Sequence, residues 1–189
     1  RDEKSKLLVG ADSWSTVSFP EHGLPSIVMT DGPNGINPAK RFNNVPTTGF
    51  PTPVNLSSSW NLELVTHVAS AIGVEARALG INMLLAPCVN IVRHSLGGRN
   101  YEAYGEDPFL SARMAVSFIS GVQRQGVGAC IKHFALNNQE KERTKYNAVA
   151  SSRVLRELYL PAFEAGVKDA SVAAVMSAYN KVNGVHCAV

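Results

Sequence analysis

The chain has 189 residues, of which 45% are hydrophobic and 17% charged, so it is long and apolar enough to form a substantial core in one domain or part of one. The net charge of +3 is spread thinly without a long basic run, and we therefore expect no nucleic-acid partner. The longest uncharged apolar stretch, residues 81–92, is too short to span a bilayer, so we expect no membrane segment either.

The first third of the chain predicts a short helix, a strand and a long loop. Residues 2–10 are typical of the end of an amphipathic helix that stops at Gly10. Residues 26–30 form a short apolar strand that runs into a dense turn signal, DGPNG, at positions 31–35. Residues 37–56 are rich in proline, asparagine and threonine and show no period, so they predict a long loop.

The middle of the chain predicts a helix followed by a buried strand. Apolar residues recur at alternating steps of three and four over residues 62–79, which predicts an amphipathic helix that Asn61 caps and Gly80 ends. Residues 81–86 follow as a buried strand, which Pro87 closes.

The second half repeats this alternation. An N-cap aspartate and a first-turn proline at residues 107–108 open a helix, and a strand of small and apolar residues spans 127–131. A further helix begins near residues 151–152 and is kinked or restarted at Pro161, and a last strand spans 172–178. Strands that alternate with helices predict βαβ units and a parallel sheet, in a barrel or a doubly wound arrangement between which periodicity does not decide.

The three cysteines lie far apart and form no C-x-x-C pair. This spacing predicts neither a disulfide framework nor a zinc site. We expect Cys88, Cys130 and Cys187 to be small core residues.

Polar residues follow each of the four predicted strands at its C-terminal end. Because these ends lie on one face of a parallel α/β fold, we expect the residues to meet in one pocket. They are Asp31 after the first strand, Asn90, Arg93, His94 and Arg99 after the second, Lys132 and His133 after the third, and Tyr179 and Asn180 after the fourth.

Lys132 is the least expected of these residues, because it directly follows an apolar strand. A lysine is almost never fully buried unless it is paired, and a shared pocket floor would make Asp31 its partner. Alternatively, the strand has simply reached the surface. Taken singly, Asp31 is also typical of an Asx turn, and His133 of a core histidine whose hydrogen bonds are satisfied.

The expected pocket contains more positive than negative charge. Arg99, Lys132 and Arg143 face only Asp31, if the charged residues 140–145 are in part a solvated loop. Such an excess requires another anion, either on the substrate or on a carboxylate from sequence that follows the chain. The residue types as a set suit charge-assisted hydrogen bonds to vicinal hydroxyl groups.

Four long motifs stand in order along the chain. They are DGPNGI at residues 31–36, LGGRNYEAYGEDP at 96–108, KHFALNNQE at 132–140 followed by Arg143, and MSAYNKVNG at 176–184. Together they closely resemble the β-glucosidase-like branch of glycoside hydrolase family 3. The resemblance implies an α/β fold in which residues 1–189 form an incomplete N-terminal (β/α)8 domain. This would be a partial TIM-type barrel, roughly its N-terminal half to two-thirds, with the rest of the barrel and a C-terminal α/β sandwich domain absent.

The resemblance also implies a function. The expected activity is the retaining, exo-acting hydrolysis of β-glycosides by a β-glucosidase, which releases the terminal non-reducing sugar and needs no metal or organic cofactor. By their positions in the motifs, six residues look like family residues that bind the substrate. They are Asp31, Arg99, Lys132 and His133 at the hydroxyls of the terminal sugar, and Arg143 and Tyr179 close to the nucleophile.

Departures from the family pattern indicate what the chain lacks. The nucleophilic aspartate, in an SDW-like motif, and the acid/base glutamate are expected beyond Val189, so the 189 residues alone should be inactive. Their last strand would keep an unpaired edge, and we expect association with the missing sequence or with another copy. Asn37 stands where many relatives carry an arginine. The motif at 132–140 lacks the KHFPGHG pattern of the hexosaminidase branch, which disfavours N-acetylglucosaminides.

Three alternatives remain open on the sequence. One is a β-xylosidase or arabinosidase of the same family, and another is a non-catalytic carbohydrate-binding protein with the same fold. The third is an anion-binding protein that uses the additional arginines.

Overall fold

The computed structural model describes residues 2–37 and 45–188, so part of the predicted loop, residues 38–44, lies outside the described residues. Within these ranges the α-helices are α1 (Asp2–Lys6), α2 (Pro53–Ser58), α3 (Leu62–Ala78), α4 (Pro108–Gln123), α5 (Ser152–Val154) and α6 (Pro161–Lys168). A π-helical turn, Leu155–Tyr159, joins α5 to α6, and 3-10 turns occur at Pro20–His22 and Asn100–Glu102.

Four of the strands form a parallel sheet. The strands are β1 (Gly10–Asp12), β2 (Ser15–Thr16), β3 (Met29–Asp31), β4 (Met83–Leu85), β5 (Gly128–Phe134), β6 (Asn147–Ala148), β7 (Ala174–Ser177), β8 (Lys181–Val182) and β9 (Val185–His186). The parallel sheet has the strand order β3-β4-β5-β7. Strands β1 and β2 pair with each other, and a separate small sheet has the order β6-β8-β9. The predicted α/β fold with a parallel sheet is therefore confirmed.

The helix signals in the sequence are also confirmed. The Asn61 side chain accepts a hydrogen bond from the Leu64 N–H at 3.0 Å, and Asp107 caps α4 by accepting from the Leu110 N–H at 2.6 Å. A new helix begins at Pro161, which has no N–H with which to continue the preceding turn.

Two predictions in the first third were wrong. The first helix ends at Lys6, and Gly10 already belongs to β1. The predicted loop at 37–56 contains the start of α2, because Pro53 opens a helix there. Proline is favoured in the first turn of a helix, so the same residue type is compatible with a loop and with a helix start.

Two of the four strands that precede the polar residues, β3 and β5, run further than predicted, whereas β4 and β7 are shorter than predicted. Asp31 is the last residue of β3, and β5 continues through Lys132 and His133. The Lys132 N–H donates to the Pro87 carbonyl at 2.9 Å, and the Lys132 carbonyl accepts from the Val89 N–H at 2.9 Å. Main-chain hydrogen bonds therefore fix these positions, where a loop would have left them mobile.

All three cysteines are free thiols. Cys88 and Cys130 are buried as predicted, and burial raises the pKa of each to about 11, so neither is a ready nucleophile. Cys187 is only partly buried, because it lies in the turn after β9, and its assignment to the core was wrong. In the described ranges, no helix is long and apolar enough to cross a membrane.

The main core lies between the parallel sheet and α3, α4 and α6. At Gly121 of α4 the two long helices approach so closely that an added Cβ would lie 2.6 Å from the Thr66 carbonyl oxygen and 2.7 Å from the Ala69 Cβ. Both atoms belong to α3, and the carbonyl is main chain that cannot rotate away. Glycine at this position therefore sets the distance between α3 and α4.

We expect Gly121→Ala to lower the free energy of unfolding by about 1 to 2 kcal/mol, because overpacking outweighs the helix-propensity gain of roughly 1 kcal/mol. Gly49→Ala is the matched control, since a Cβ there has no neighbour within 4 Å. Urea unfolding of both variants tests this expectation. Equal stability of the two variants would show that α3 and α4 can separate without loss.

Candidate active site

A pocket of about 370 Å³ opens at the carboxyl ends of the parallel strands. Among its lining residues are all six that the sequence motifs indicate, namely Asp31, Arg99, Lys132, His133, Arg143 and Tyr179. Trp14, Leu85 and Met176 complete the lining, and no sequence signal distinguished Trp14 from any other aromatic residue. The expectation that residues after all four strands meet in one pocket is confirmed for five of the nine, namely Asp31, Arg99, Lys132, His133 and Tyr179, and not for Asn90, Arg93, His94 and Asn180.

The predicted pair of Lys132 and Asp31 is present at the floor of this pocket. The lysine Nζ lies 2.9 Å from Asp31 Oδ1. The lysine side chain is 1% exposed and the aspartate side chain 43% exposed. The pair is thus asymmetric: the cation is sealed in the protein, and the carboxylate remains accessible to a ligand.

His133 is buried beside this pair, and the side chains of Cys88, Asn90 and Arg99 contact its ring. Asn90 Oδ1 lies 3.1 Å from the histidine Nδ1, and Arg99 Nη1 lies 3.3 Å from Nε2. Burial lowers the pKa of His133 to about 3, and the positive charges of Arg99 and Lys132 act in the same direction. The imidazole is therefore neutral at ordinary pH. It lines the pocket, so it is more than a structural core histidine.

Each of the three cations that line the pocket is paired with a carboxylate, and of these carboxylates only Asp31 lines the pocket itself. Arg99 Nη2 lies 2.6 Å from Glu102 Oε2, and Arg99 Nη1 lies 3.5 Å from Glu140 Oε1. The second Glu140 oxygen lies 2.9 Å from Arg143 Nη1. Although burial opposes its charge, the pKa of Arg99 is raised, because the carboxylates, Glu102 foremost, stabilise the cation.

This network overturns the predicted excess of positive charge. Lys132 is paired with Asp31, so each of the three cations of the pocket has a carboxylate partner in the described chain. The prediction is wrong because it treats residues 140–145 as in part a solvated loop and does not count Glu102, taken as structural, among the partners of the pocket cations. The sequence held a signal for both, since each glutamate stands three residues from the arginine it binds. The anion-binding alternative loses its basis with this correction.

Arg143 and Tyr179 form the more open side of the pocket. The guanidinium carbon lies 5.1 Å from the centre of the Tyr179 ring, an arrangement that favours a cation–π contact. Both side chains are partly exposed. A ligand in the pocket can therefore reach them without displacing buried groups.

Other polar residues from the strand ends lie outside this pocket. Arg93 and His94 line a separate pocket of about 390 Å³. Asn180 is fully buried, and its amide donates to the Ala135 carbonyl at 3.2 Å, so it has a structural role. The Asn37 main-chain N–H donates to the Asp31 carbonyl at 3.0 Å.

Comparisons with known proteins agree with the motifs. A family model described as the glycosyl hydrolase family 3 N terminal domain matches residues 10–189. The thermostable beta-glucosidase B of Acetivibrio thermocellus is 47% identical over 98% of this chain. The exo-alpha-(1->6)-L-arabinopyranosidase of Bifidobacterium longum is 43% identical over 99% of this chain. The chain spans only 26% of the length of either relative.

A solved structure shows the same fold. Beta-glucosidase 3B from Thermotoga neapolitana, in complex with glucose, matches with a TM-score of 0.91 and 47% sequence identity. The match covers 98% of this chain and 29% of that one. The described fold therefore corresponds to one part of a larger protein of known structure.

The asymmetric burial of the ion pair predicts unequal effects of removing its members. Asp31→Ala leaves a buried ammonium group unpaired and should lower the free energy of unfolding by about 3 kcal/mol. Lys132→Met leaves a carboxylate that water reaches and should cost about 1 kcal/mol or less. The double variant should match Lys132→Met in chemical denaturation. Equal losses in the two single variants would show that the lysine is better hydrated than its burial indicates.

Proposed function

The chain belongs to glycosyl hydrolase family 3, and we propose that it is the sugar-binding part of a retaining, exo-acting β-glucosidase. The observation that carries this proposal is the convergence of Asp31, Arg99 and His133 on one pocket of about 370 Å³. That volume lies within the range of small-molecule sites, roughly 300 to 1,000 Å³. The solved relative in complex with glucose supports a sugar as the ligand.

The pocket offers groups of complementary hydrogen-bonding type to a polyol. Asp31 is an accessible acceptor, and buried Lys132 fixes its position. Arg99 is a donor whose orientation Glu102 and Glu140 fix. A hydroxyl group donates one proton and accepts through its lone pairs, so neighbouring hydroxyls can bind the carboxylate and the guanidinium together. Since these groups are ordered before the ligand arrives, little conformational entropy is lost on binding.

We propose that the two catalytic carboxyl groups come from sequence beyond Val189. A retaining glycosidase needs a nucleophile and an acid/base about 5 to 5.5 Å apart. The carboxylates of this chain that pair with the pocket cations, Asp31, Glu102 and Glu140, are each engaged in holding a cation. Arg143 and Tyr179, on the open side, would then lie next to the incoming nucleophile. The 26% coverage of the relatives' length leaves ample sequence to supply both groups.

We further propose that the parallel sheet is the N-terminal half to two-thirds of a (β/α)8 barrel. β7 lies at the edge of the sheet, and Val175 on it is 46% exposed. Next to it, Phe134, Phe163 and Val167 border a mostly apolar groove of about 490 Å³. The next strand and helix of a barrel would cover this edge and groove. In this proposal a C-terminal α/β sandwich domain follows the completed barrel, and residues 1–189 alone tend to associate.

The second candidate is an arabinosidase or β-xylosidase of the same family. The 43% identical relative from Bifidobacterium longum, named as an arabinopyranosidase, favours this candidate. L-Arabinopyranose has no hydroxymethyl group, so the two candidates differ in the space that they need near the sugar ring. A non-catalytic sugar-binding protein is the remaining alternative.

We expect the full-length protein to hydrolyse p-nitrophenyl β-D-glucopyranoside and residues 1–189 alone to show no turnover. Proton NMR should detect β-glucose as the first product, because two successive displacements retain the configuration. Initial release of α-glucose would contradict the retaining mechanism. Turnover by residues 1–189 would contradict the location of the carboxyl groups beyond Val189. Glucose binding without turnover in the full-length protein would favour the non-catalytic alternative.

The ratio of kcat/KM for aryl β-D-glucopyranoside and aryl α-L-arabinopyranoside separates the two enzyme candidates. We expect kcat/KM to be about tenfold or more higher for the glucoside, because a pocket that binds the hydroxymethyl group of glucose gains one polar interaction that arabinopyranose cannot make. Both substrates should carry the same p-nitrophenyl leaving group, so that the ratio reports only the sugar. Preference for the arabinopyranoside would select the second candidate.

A further inference from the structure

The orientation of the Asn90 side chain is fixed by the main chain of His133. The His133 N–H lies 3.0 Å from Asn90 Oδ1, and the His133 carbonyl oxygen lies 2.9 Å from Asn90 Nδ2. A main-chain N–H can only donate and a carbonyl can only accept, so the amide cannot be reversed. Both residues are buried, Asn90 to 8% exposure and His133 to 6%.

The segment before Asn90 fixes its distance from His133. The Val89 N–H donates to the Lys132 carbonyl at 2.9 Å, and the Cys130 N–H donates to the Ala86 carbonyl at 3.0 Å. The chain after β4 therefore continues alongside β5 and brings the Asn90 amide opposite the histidine. The contact follows from the sheet and not from a flexible loop.

This amide defines the proton position on the imidazole. Asn90 Oδ1, an acceptor, lies 3.1 Å from the histidine Nδ1, so Nδ1 must carry the proton. On the other side of the ring, Arg99 Nη1 lies 3.3 Å from Nε2. A guanidinium only donates, so Nε2 must present its lone pair. Two contacts on opposite sides of the ring thus require the same tautomer.

We infer that Asn90 is a positioning residue that holds His133 in the Nδ1–H tautomer, so that Nε2 is a hydrogen-bond acceptor in the pocket. The sugar-related part of this inference depends on the function proposed above. A sugar hydroxyl at Nε2 takes the place of the Arg99 contact there: it donates its proton to the nitrogen lone pair and accepts a hydrogen bond from an Arg99 N–H. Histidine and arginine then form one acceptor–donor pair that selects for a hydroxyl group.

The charged and titratable groups around the ring favour a neutral imidazole with an unprotonated Nε2. They are Cys88, whose Sγ lies 3.9 Å from Nδ1, Arg99 with Glu102 and Glu140, Lys132 with Asp31, and Arg143 from the following loop. The cations disfavour an imidazolium, and the carboxylates are already paired with cations. Protonation of Nε2 would place a second N–H opposite the Arg99 guanidinium.

Nitrogen NMR of the full-length protein with 15N-labelled histidine tests the tautomer directly. The His133 signals are assigned by their disappearance in His133→Gln. We expect Nδ1 to have the chemical shift of a protonated ring nitrogen and Nε2 that of an unprotonated one, unchanged between about pH 5 and 8. A protonated Nε2 in the wild-type protein would overturn the inference. The 15N chemical shifts of His133 are measured without a sugar, so they test the tautomer even if the proposed function is wrong.

Asn90→Asp tests the positioning role through its pH dependence. The carboxylate can still accept from Nδ1–H, although it can no longer donate to the His133 carbonyl as Asn90 Nδ2 does. Its negative charge stabilises the imidazolium, so His133 should become protonated as the pH falls. We expect the glucose affinity of this variant, measured by calorimetry, to fall about tenfold or more between pH 8 and pH 5 relative to wild type. The NMR signals should show both nitrogens protonated at the lower pH.

Asn82→Asp is the matched control. The Asn82 side chain also accepts from a main-chain N–H, that of Val28 at 2.8 Å, but it lies at the opposite end of β4 and is exposed. We expect the glucose affinity of this variant, and the pH dependence of that affinity, to equal those of the wild type. Asn90→Ala, which removes the acceptor without adding charge, should lose about tenfold in affinity at all pH values. The same pH profile in Asn90→Asp and the wild type would overturn the positioning role.

Discussion

The ion pair between Lys132 and Asp31 is the constraint on which the pocket depends. Its members lie on β5 and β3, which are separated by β4, so the pair spans two strand spacings, roughly 9.6 Å. Such a contact is possible only where side chains from three neighbouring strands converge on one face. Since an ammonium group without a partner is not tolerated at this burial, the pair fixes the relative position of these strand ends. The other pocket residues lie around this ion pair.

The side of the pocket is built on the same principle, with local partners. Glu102 and Glu140 each bind an arginine three residues away, and Glu140 also joins Arg99 to Arg143 across two loops. Loop residues thereby acquire positions as defined as those on the strands. Rigid presentation of donors and acceptors is what a hydroxyl-binding site requires, because the free energy of each hydrogen bond is small compared with the cost of ordering a long side chain.

Much of the fold and the six pocket residues could be predicted from sequence, because their signals are local or lie in long motifs. Helix caps such as Asn61 act over three residues, and buried strands show as apolar runs. The errors have a common physical origin in longer-range or ambiguous signals. Pro53 is compatible with both a loop and a helix start. Strands β6, β8 and β9 have two residues each and form only by pairing with one another. The salt bridge between Glu140 and Arg99 joins two separate loops, so no local pattern indicates it.

The paired charges at the pocket also determine its long-range electrostatic field. Each of the three cations lies within 3 Å of a carboxylate, so their local fields largely cancel at distances beyond about one Debye length, roughly 8 to 10 Å at physiological ionic strength. The pocket therefore neither attracts nor repels a neutral molecule at long range, and inorganic anions are not concentrated at its entrance. The affinity of such a site is accordingly insensitive to salt, although most of its polar groups are ionised.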